Sequence, residues 1–177
     1  MIEDHFLYKG VKVSQVKGCY EYFERLLPKF DTVIELGTYH GGLTLILSDI
    51  IEDIGLTTKL ITVDNQIYRE DVIDRLKKSK VTFLLLDLYS QLTEIIKYIE
   101  GRTLVLCDAN KAVKFNKIAH YLSPGDYIGV HDYAENEMYW NKISKDTWSY
   151  WLCNINDLEL EENSLYKAKE YEEFADI

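Results

Sequence analysis

Acidic residues that close short apolar runs are the side chains of this sequence best suited to chemistry. Residues 59–64, 81–87 and 103–108 are each largely apolar until a final aspartate, and residues 126–132 end in His131-Asp132. Runs of this length and composition predict buried strands of a parallel sheet. Because the carboxyl ends of such strands meet at one edge of the sheet, we expect these side chains to form one site. Carboxylates gathered there accept hydrogen bonds, hold a cation or move a proton.

A glycine-rich turn follows another apolar run, residues 32–36, and leads into an apolar segment with good helix formers, residues 43–54. Its glycines, Gly37, Gly41 and Gly42, predict positive φ angles and a main chain that a ligand can approach closely. A strand, a glycine turn and a helix form the usual nucleotide pocket of open α/β sheets.

The residues around this turn argue against a phosphate ligand. A dinucleotide fingerprint requires Gly-x-Gly-x-x-Gly and a P-loop requires a final Gly-Lys-Ser/Thr, and neither pattern occurs here. Instead, Glu35 precedes the first glycine by two positions, and a carboxylate there repels phosphate and attracts a cation. Asp64, at the end of the next apolar run, suits a ribose because a carboxylate accepts hydrogen bonds from both hydroxyls. The alternative is that Asp64 only begins a turn with Asn65.

The segment Glu35-x-Gly37-x-x-x-Gly41-Gly42 resembles the first motif of class I S-adenosylmethionine-dependent methyltransferases. It is similar in particular to the cephalosporin-hydroxylase-like and sugar O-methyltransferase branch, and the resemblance covers about residues 8–132. This resemblance implies S-adenosylmethionine as cofactor, and it implies that the end of the third strand contacts the adenine. The implied cofactor-binding residues are Glu35, Gly37, Thr38, Gly41, Gly42, Asp64, Asn65, Asp87, Leu88 and Asp108.

Methyl transfer from a sulfonium requires aligned reactants and an activated acceptor, by a general base or by a divalent metal. Asp108-x-x-Lys111 resembles the metal ligand and lysine of catechol-type O-methyltransferases, and His131-Asp132 occupies the place of the paired acidic ligands in the sugar branch. The resemblance thus implies Mg²⁺ on Asp108, His131 and Asp132. The chain departs from both relatives, which have Asp-Asn or Glu-Asp where His131-Asp132-Tyr133 stands. Without a metal, His131 or Lys111 is the expected catalytic base.

The alternation of apolar segments predicts a single α/β domain over residues 1–177. We expect a Rossmann-like, doubly wound, mostly parallel seven-stranded sheet with a C-terminal antiparallel hairpin at residues 157–169. Residues 1–13 lack periodicity and are predicted to be an N-terminal arm that packs on the domain. Ser14 is the predicted N-cap of a first helix that ends near Pro28, and Ser90 is the predicted N-cap of a later helix.

Composition limits the classes of partner. A formal net charge of -10 argues against a nucleic-acid partner, which requires clustered Lys and Arg. Three cysteines, Cys19, Cys107 and Cys153, have neither metal-ligand nor disulfide spacing, which favours reduced thiols. Because no apolar stretch is long enough to span a membrane and no signal peptide is evident, we expect a cytoplasmic protein with no membrane partner.

These observations predict an S-adenosylmethionine-dependent methyltransferase that acts on a hydroxyl of a small-molecule or sugar acceptor. Assistance by Mg²⁺ and closure of the site by a second subunit in a homo-oligomer remain open. Two alternatives also remain, a module that binds S-adenosylmethionine without efficient turnover and a nicotinamide-dependent oxidoreductase. The spacing of the glycines argues against the oxidoreductase.

Overall fold

The computed structural model describes residues 6–15, 18–87, 90–108 and 111–130, and for residues 111 and 112 it describes the backbone alone. The strands, in chain order, are β1 Phe6–Tyr8, β2 Val11–Val13, β3 Thr32–Leu36, β4 Lys59–Asp64, β5 Thr82–Leu85, β6 Thr103–Cys107 and β7 Tyr127–Val130. The helices are α1 Cys19–Leu26, α2 Gly42–Asp53, α3 Glu70–Lys78, α4 Leu92–Ile96 and α5 Lys111–Ala119.

Five parallel strands form the central sheet, in the order β5-β4-β3-β6-β7. Strand β3 lies at its centre and is buried along its whole length. Helices cover both faces of the sheet. Because successive residues of a strand point to opposite faces, neighbouring residues of β3 belong to different cores. Val33 belongs to a core shared with α1, α2 and α3, whereas Ile34 belongs to a core shared with α4 and α5. The predicted α/β, doubly wound, parallel sheet is therefore confirmed.

The N-terminal segment, which the sequence predicted to be an arm that packs on the domain, is an antiparallel hairpin of β1 and β2. Its turn is Lys9-Gly10, and both residues have positive φ, 48° and 80°, as in the two-residue turns that suit hairpins. Val11 and Val13 are buried while Lys12 is exposed. This alternation extends over only three residues, which is too short to stand out in the sequence.

Two helices begin later than predicted. The first starts at Cys19 instead of Ser14, because Gly18 precedes it with a φ of 105°, outside the helical region. It ends near Pro28 as expected, and a 3-10 turn over Leu27–Lys29 follows it. Ser90 does not cap α4, since its hydroxyl donates to Asp87 Oδ2 at 2.8 Å.

The predicted count of seven strands in the sheet and the predicted hairpin at residues 157–169 extend beyond the described residues, within which the main sheet has five strands. None of the helices seen in the described ranges has the length and hydropathy needed to cross a bilayer. Cys19 and Cys107 are free, buried thiols, as predicted, whereas Cys153 lies outside the described residues.

Candidate functional site

The carboxyl ends of the parallel strands meet at one edge, as the sequence predicted. Leu36, the last residue of β3, pairs with Val63 of β4 and with Cys107 of β6. Asp64 and Asp108 each follow one of these partners by one residue, so they flank the end of the central strand. The chain winds outwards through β4 and β5 and then crosses to β6. Open α/β sheets bind their ligands at such a switch point.

The glycine loop begins at this edge and ends at the first turn of α2. Gly37 has a φ of 123° and Gly41 a φ of 78°, so both adopt backbone angles that favour glycine. The Gly37 N–H donates to Val63 O at 2.8 Å, and the Gly41 N–H donates to Thr38 O at 2.7 Å. The expected positive φ angles are confirmed at these two positions.

Gly42 differs from this expectation, because it is the first residue of α2 and its φ is not positive. A Cβ added there would lie 2.2 Å from the carbonyl oxygen of Lys12 in the N-terminal hairpin. At Gly41 an added Cβ would lie 2.7 Å from Val72 Cγ1 of α3. The lack of a side chain at both positions therefore serves close packing within the protein.

Asp64 is 8% exposed at the end of β4, and its carboxylate orders the loops on either side. The Tyr39 N–H donates to Oδ2 at 2.8 Å, and the Asn65 N–H donates to Oδ1 at 2.8 Å. Asp64 does begin a turn with Asn65, as the alternative interpretation held. The Gln66 N–H also donates to Oδ1, at 3.4 Å. Because each carboxylate oxygen has two acceptor positions, Oδ2 keeps one for a ribose hydroxyl, and Oδ1 accepts from a second hydroxyl once that long bond gives way.

Tyr39 has a φ of 47°, which is unfavourable for a residue with a large side chain. Its bond to Asp64 holds this conformation, and such strain is concentrated at functional sites. The Tyr39 ring lies 4.9 Å from the ring of Tyr68 and 4.0 Å from that of His40, measured between centroids. Tyr39 and Tyr68 are both 42% exposed, so this aromatic group borders solvent beside Asp64.

Glu35 lies at the centre of a buried polar network beneath the glycine loop. Thr44 Oγ1 of α2 donates to Glu35 Oε2 at 2.5 Å, and Thr62 Oγ1 of β4 donates to the same oxygen at 2.6 Å. Thr38 Oγ1 in the loop lies 2.6 Å from Thr62 Oγ1. Since the one hydroxyl hydrogen of Thr62 already donates to Glu35, Thr38 is the donor in the bond between the two threonines. The network thus joins β3, β4, α2 and the loop.

Burial raises the pKa of the Glu35 carboxyl to about 8, and the negative charges of Asp108 and Asp64 raise it further, against the effect of the threonine hydroxyls. The group is therefore mostly neutral at pH 7. Glu35 Oε1 is buried and finds no hydrogen-bond partner in the described part of the chain. The raised pKa weakens, at neutral pH, the attraction for a cation that the sequence assigned to Glu35.

The edge continues with Asp87, two residues beyond β5. Its side chain is exposed, and Oδ2 accepts a hydrogen bond from Ser90 at 2.8 Å, while its N–H donates to Gln91 Oε1 at 2.9 Å. Asn65 is exposed just beyond Asp64. Leu88, the predicted adenine contact, lies outside the described residues.

Asp108 is half-buried at the end of β6. Its N–H donates to Leu36 O at 3.0 Å, which extends the pairing of β3 with β6 by one residue. Its Oδ2 accepts a hydrogen bond from Gln15 Nε2 at 3.5 Å. Gln15 follows the N-terminal hairpin, so the N-terminal segment reaches the end of β6 and borders the edge.

The other predicted catalytic and metal-binding groups cannot be placed beside Asp108. His131 and Asp132 lie outside the described residues, and Lys111 is described by its backbone alone, as the first residue of α5. Over the described ranges no three His, Cys, Asp or Glu side chains gather as metal ligands. These three assignments remain predictions.

Lys114 is a residue of the edge that sequence reasoning missed. It is 6% exposed, and its Nζ donates to Leu36 O at 3.0 Å. A lysine in a helix ordinarily reads as a solvated residue, and only its place beside the apolar stripe that includes Phe115 hinted at burial. Thr62 was also missed, although a polar residue within a buried strand signals a hydrogen-bonded role.

Comparisons with known proteins agree with this fold. A family model described as rhamnosyl O-methyltransferase/CmcI matches residues 3–154. Two similar solved structures are CmcI with SAH, at 18% identity and a TM-score of 0.57, and CmcI with Mg and SAM, at 22% identity and a TM-score of 0.59. The match with the first covers 77% of this chain and 75% of CmcI, and the match with the second covers 79% and 61%.

A third similar structure is the CmcI apo-structure, at 22% identity and a TM-score of 0.58, and the match covers 80% of this chain and 61% of that one. The chain thus spans about three fifths of the length of two of these three structures. At these identities the likeness establishes the fold. No curated protein sequence matches the chain significantly.

Proposed function

The chain belongs to the rhamnosyl O-methyltransferase/CmcI family, whose members are S-adenosylmethionine-dependent methyltransferases, and from this premise we propose that it methylates a hydroxyl of a small molecule or sugar. The observation that carries the proposal is the placement of Asp64 beside the glycine loop. Its carboxylate is held by the amides of Tyr39 and Asn65 at 2.8 Å each. This arrangement presents acceptors to a ribose and would repel a phosphate group.

The residues at the edge fit S-adenosylmethionine, which contains a ribose and a cationic amino-acid tail and no phosphate. In the proposed complex Asp64 accepts hydrogen bonds from the ribose hydroxyls, with Asn65 beside it. The main chain at Gly37 and Thr38 lies against the amino-acid part. The Asp87 carboxylate and Leu88 contact the adenine.

Three further residues of the predicted cofactor set act through the shape of the loop. Glu35 fixes the base of the loop through Thr44 and Thr62. Gly41 and Gly42 allow α3 and the N-terminal hairpin to pack closely against the start of α2. We propose that these three residues position the cofactor's binding loop.

Catalysis requires the acceptor hydroxyl to lie in line with the methyl group that the bound cofactor supplies. Without a metal, His131 or Lys111 is the proposed base that removes the hydroxyl proton. Asp108, with His131 and Asp132, is the proposed ligand set for Mg²⁺, which would lower the pKa of the acceptor hydroxyl. The carboxylate of Asp108 at the switch point suits a hard cation, and the CmcI structure described with Mg and SAM supports this part of the proposal.

The proposal is tested by calorimetric titration and by turnover. We expect S-adenosylmethionine and S-adenosylhomocysteine to bind, and NAD⁺ at the same concentration not to bind. Turnover is measured as S-adenosylhomocysteine release with a panel of phenolic and sugar hydroxyls, with added Mg²⁺ or with a chelator. If the chelator abolishes S-adenosylhomocysteine release, the proposed role of Mg²⁺ is supported. If the chelator leaves release unchanged, that role is contradicted.

Two outcomes would favour the alternatives. Cofactor binding without turnover on any acceptor would indicate a binding module, and binding of NAD⁺ in place of S-adenosylmethionine would indicate an oxidoreductase. The homo-oligomer, with a second subunit that closes the acceptor site, also stays a proposal. Light scattering of the purified protein during size-exclusion chromatography measures its mass and tests it.

A further inference from the structure

A lysine is buried where the central strand ends. Lys114 is the one lysine or arginine that is buried among the residues whose side chains the structure describes. Removing an ammonium group from water is costly unless hydrogen bonds and nearby negative charges compensate. The Lys114 Nζ donates to Leu36 O at 3.0 Å. The burial of Lys114 on helix α5 therefore calls for an explanation other than the usual role of a lysine, which is to keep the protein surface soluble.

Its partner is the first peptide of the glycine loop. Leu36 O accepts two hydrogen bonds, from Lys114 Nζ and from the Asp108 N–H, each 3.0 Å long. On the other side of the same peptide, the Gly37 N–H donates to Val63 O at 2.8 Å. Both polar groups of the Leu36–Gly37 peptide are thus engaged, and its plane is fixed. This peptide sets the direction in which the loop leaves β3.

We propose that Lys114 is a positioning residue of the cofactor pocket, whose buried ammonium fixes the Leu36–Gly37 peptide at the start of the glycine loop. This inference rests on the proposed function, since it concerns how the glycine loop is held for S-adenosylmethionine. Lys114 acts through the backbone of the loop. It differs in this from Lys111, which the sequence singled out as a candidate base.

The test compares Lys114→Met with Lys117→Met, an exposed lysine one turn further along α5. We expect Lys114→Met to weaken S-adenosylhomocysteine affinity about tenfold, as the loss of a charged hydrogen bond predicts. We expect the affinity of Lys117→Met to match that of the wild type. Lys114→Arg, which keeps the charge and the donor, should recover most of the lost affinity.

A second readout separates positioning from a purely structural role. Hydrogen exchange should speed up in residues 36–42 of folded Lys114→Met and stay unchanged in residues 103–107 of β6. Wild-type affinity in the folded Lys114→Met variant would overturn the inference. If that variant does not fold, Lys114→Gln, which keeps a polar side chain, replaces it with the same expected and opposing results. Failure of the wild type itself to bind S-adenosylhomocysteine would instead refute the proposed function.

Discussion

The carboxyl group of Glu35 connects three elements at the base of the glycine loop. Two threonine hydroxyls donate to its Oε2, from Thr44 of α2 and from Thr62 of β4. Thr62 in turn accepts from Thr38 in the loop. Because burial raises the Glu35 pKa from 4.5 to about 8, its protonation state couples the stability of this region to pH.

Glu35→Gln tests this coupling. In the wild type the unfolded chain ionises Glu35 near pH 4.5, whereas the folded protein keeps it protonated up to a pKa of about 8. Stabilisation by this group is therefore complete below pH 4.5 and is lost as the pH rises towards 8. Relative to the variant, the wild-type free energy of unfolding should fall by about 1.4 kcal/mol per pH unit in this range.

Urea unfolding at several pH values measures this difference. The exposed Glu52 supplies the control, Glu52→Gln, which should retain the wild-type slope. A pH dependence that is the same in Glu35→Gln and in the wild type would show that Glu35 is ionised in the folded protein.

Asp64→Asn tests the ribose contact. The amide keeps one oxygen acceptor for the turn and loses the negative charge, so we expect S-adenosylhomocysteine affinity to weaken by about 1–3 kcal/mol. Calorimetric titration measures it, with the exposed Asp74→Asn of α3 as control. Equal affinity in the Asp64 variant and the wild type would refute the assignment.

At the scale of single residues, the sequence identified Asp64 and Asp108 because each closes an apolar run. It could not identify the burial of Lys114, since a helical lysine is usually solvated and only its contact with Leu36 O reveals its position. Nor could it show that the pKa of Glu35 is raised, because the cause is burial by residues distant in sequence.

At the scale of elements, the N-terminal hairpin and helix α2 are packed against each other at one point of close contact. The carbonyl oxygen of Lys12 lies so close to Gly42 that a Cβ added to this glycine would be 2.2 Å from it. Gln15, just beyond the hairpin, reaches Asp108 at 3.5 Å. The hairpin is thereby tied to the glycine loop on one side and to the edge of the sheet on the other.

Gly42→Ala tests this packing. The added methyl would collide with main-chain atoms, which cannot move as a side chain can, so we expect the free energy of unfolding to fall by about 2 kcal/mol. Gly129→Ala is the matched control, because its Cβ would lie 3.4 Å from a side-chain atom, Leu106 Cδ2. Chemical denaturation of both variants measures the difference, and an equal loss in the two would contradict the close contact.

The sequence pattern did not predict the N-terminal hairpin. The Lys9-Gly10 turn gives it its shape, but its strands of three residues each are too short for a periodic signal. The longer apolar runs of β4 and β6 were predicted within a residue, because strands buried on both faces read as continuous apolar segments. Element boundaries that depend on one glycine φ, such as that of Gly18, were predicted less accurately.

At the scale of the whole molecule, the parallel sheet brings residues from distant parts of the chain to one edge. Glu35, Asp64, Asp87 and Asp108 are separated by more than twenty residues at each step, yet each stands at or near a strand's carboxyl end. The order of the sheet places the switch point between β3 and β6, beside the glycine loop. The location of the candidate site could therefore be predicted from the sequence once the parallel sheet was predicted, whereas His131 and Asp132, the predicted groups on the acceptor side, lie outside the described residues.

The most direct measurement is a crystal structure of the protein soaked with S-adenosylhomocysteine. We expect the ribose hydroxyls within hydrogen-bonding distance of the Asp64 carboxylate, and the amino-acid part against Gly37 and Thr38. Density for the ligand elsewhere, or protein atoms that fill the space beside Asp64, would contradict this expectation.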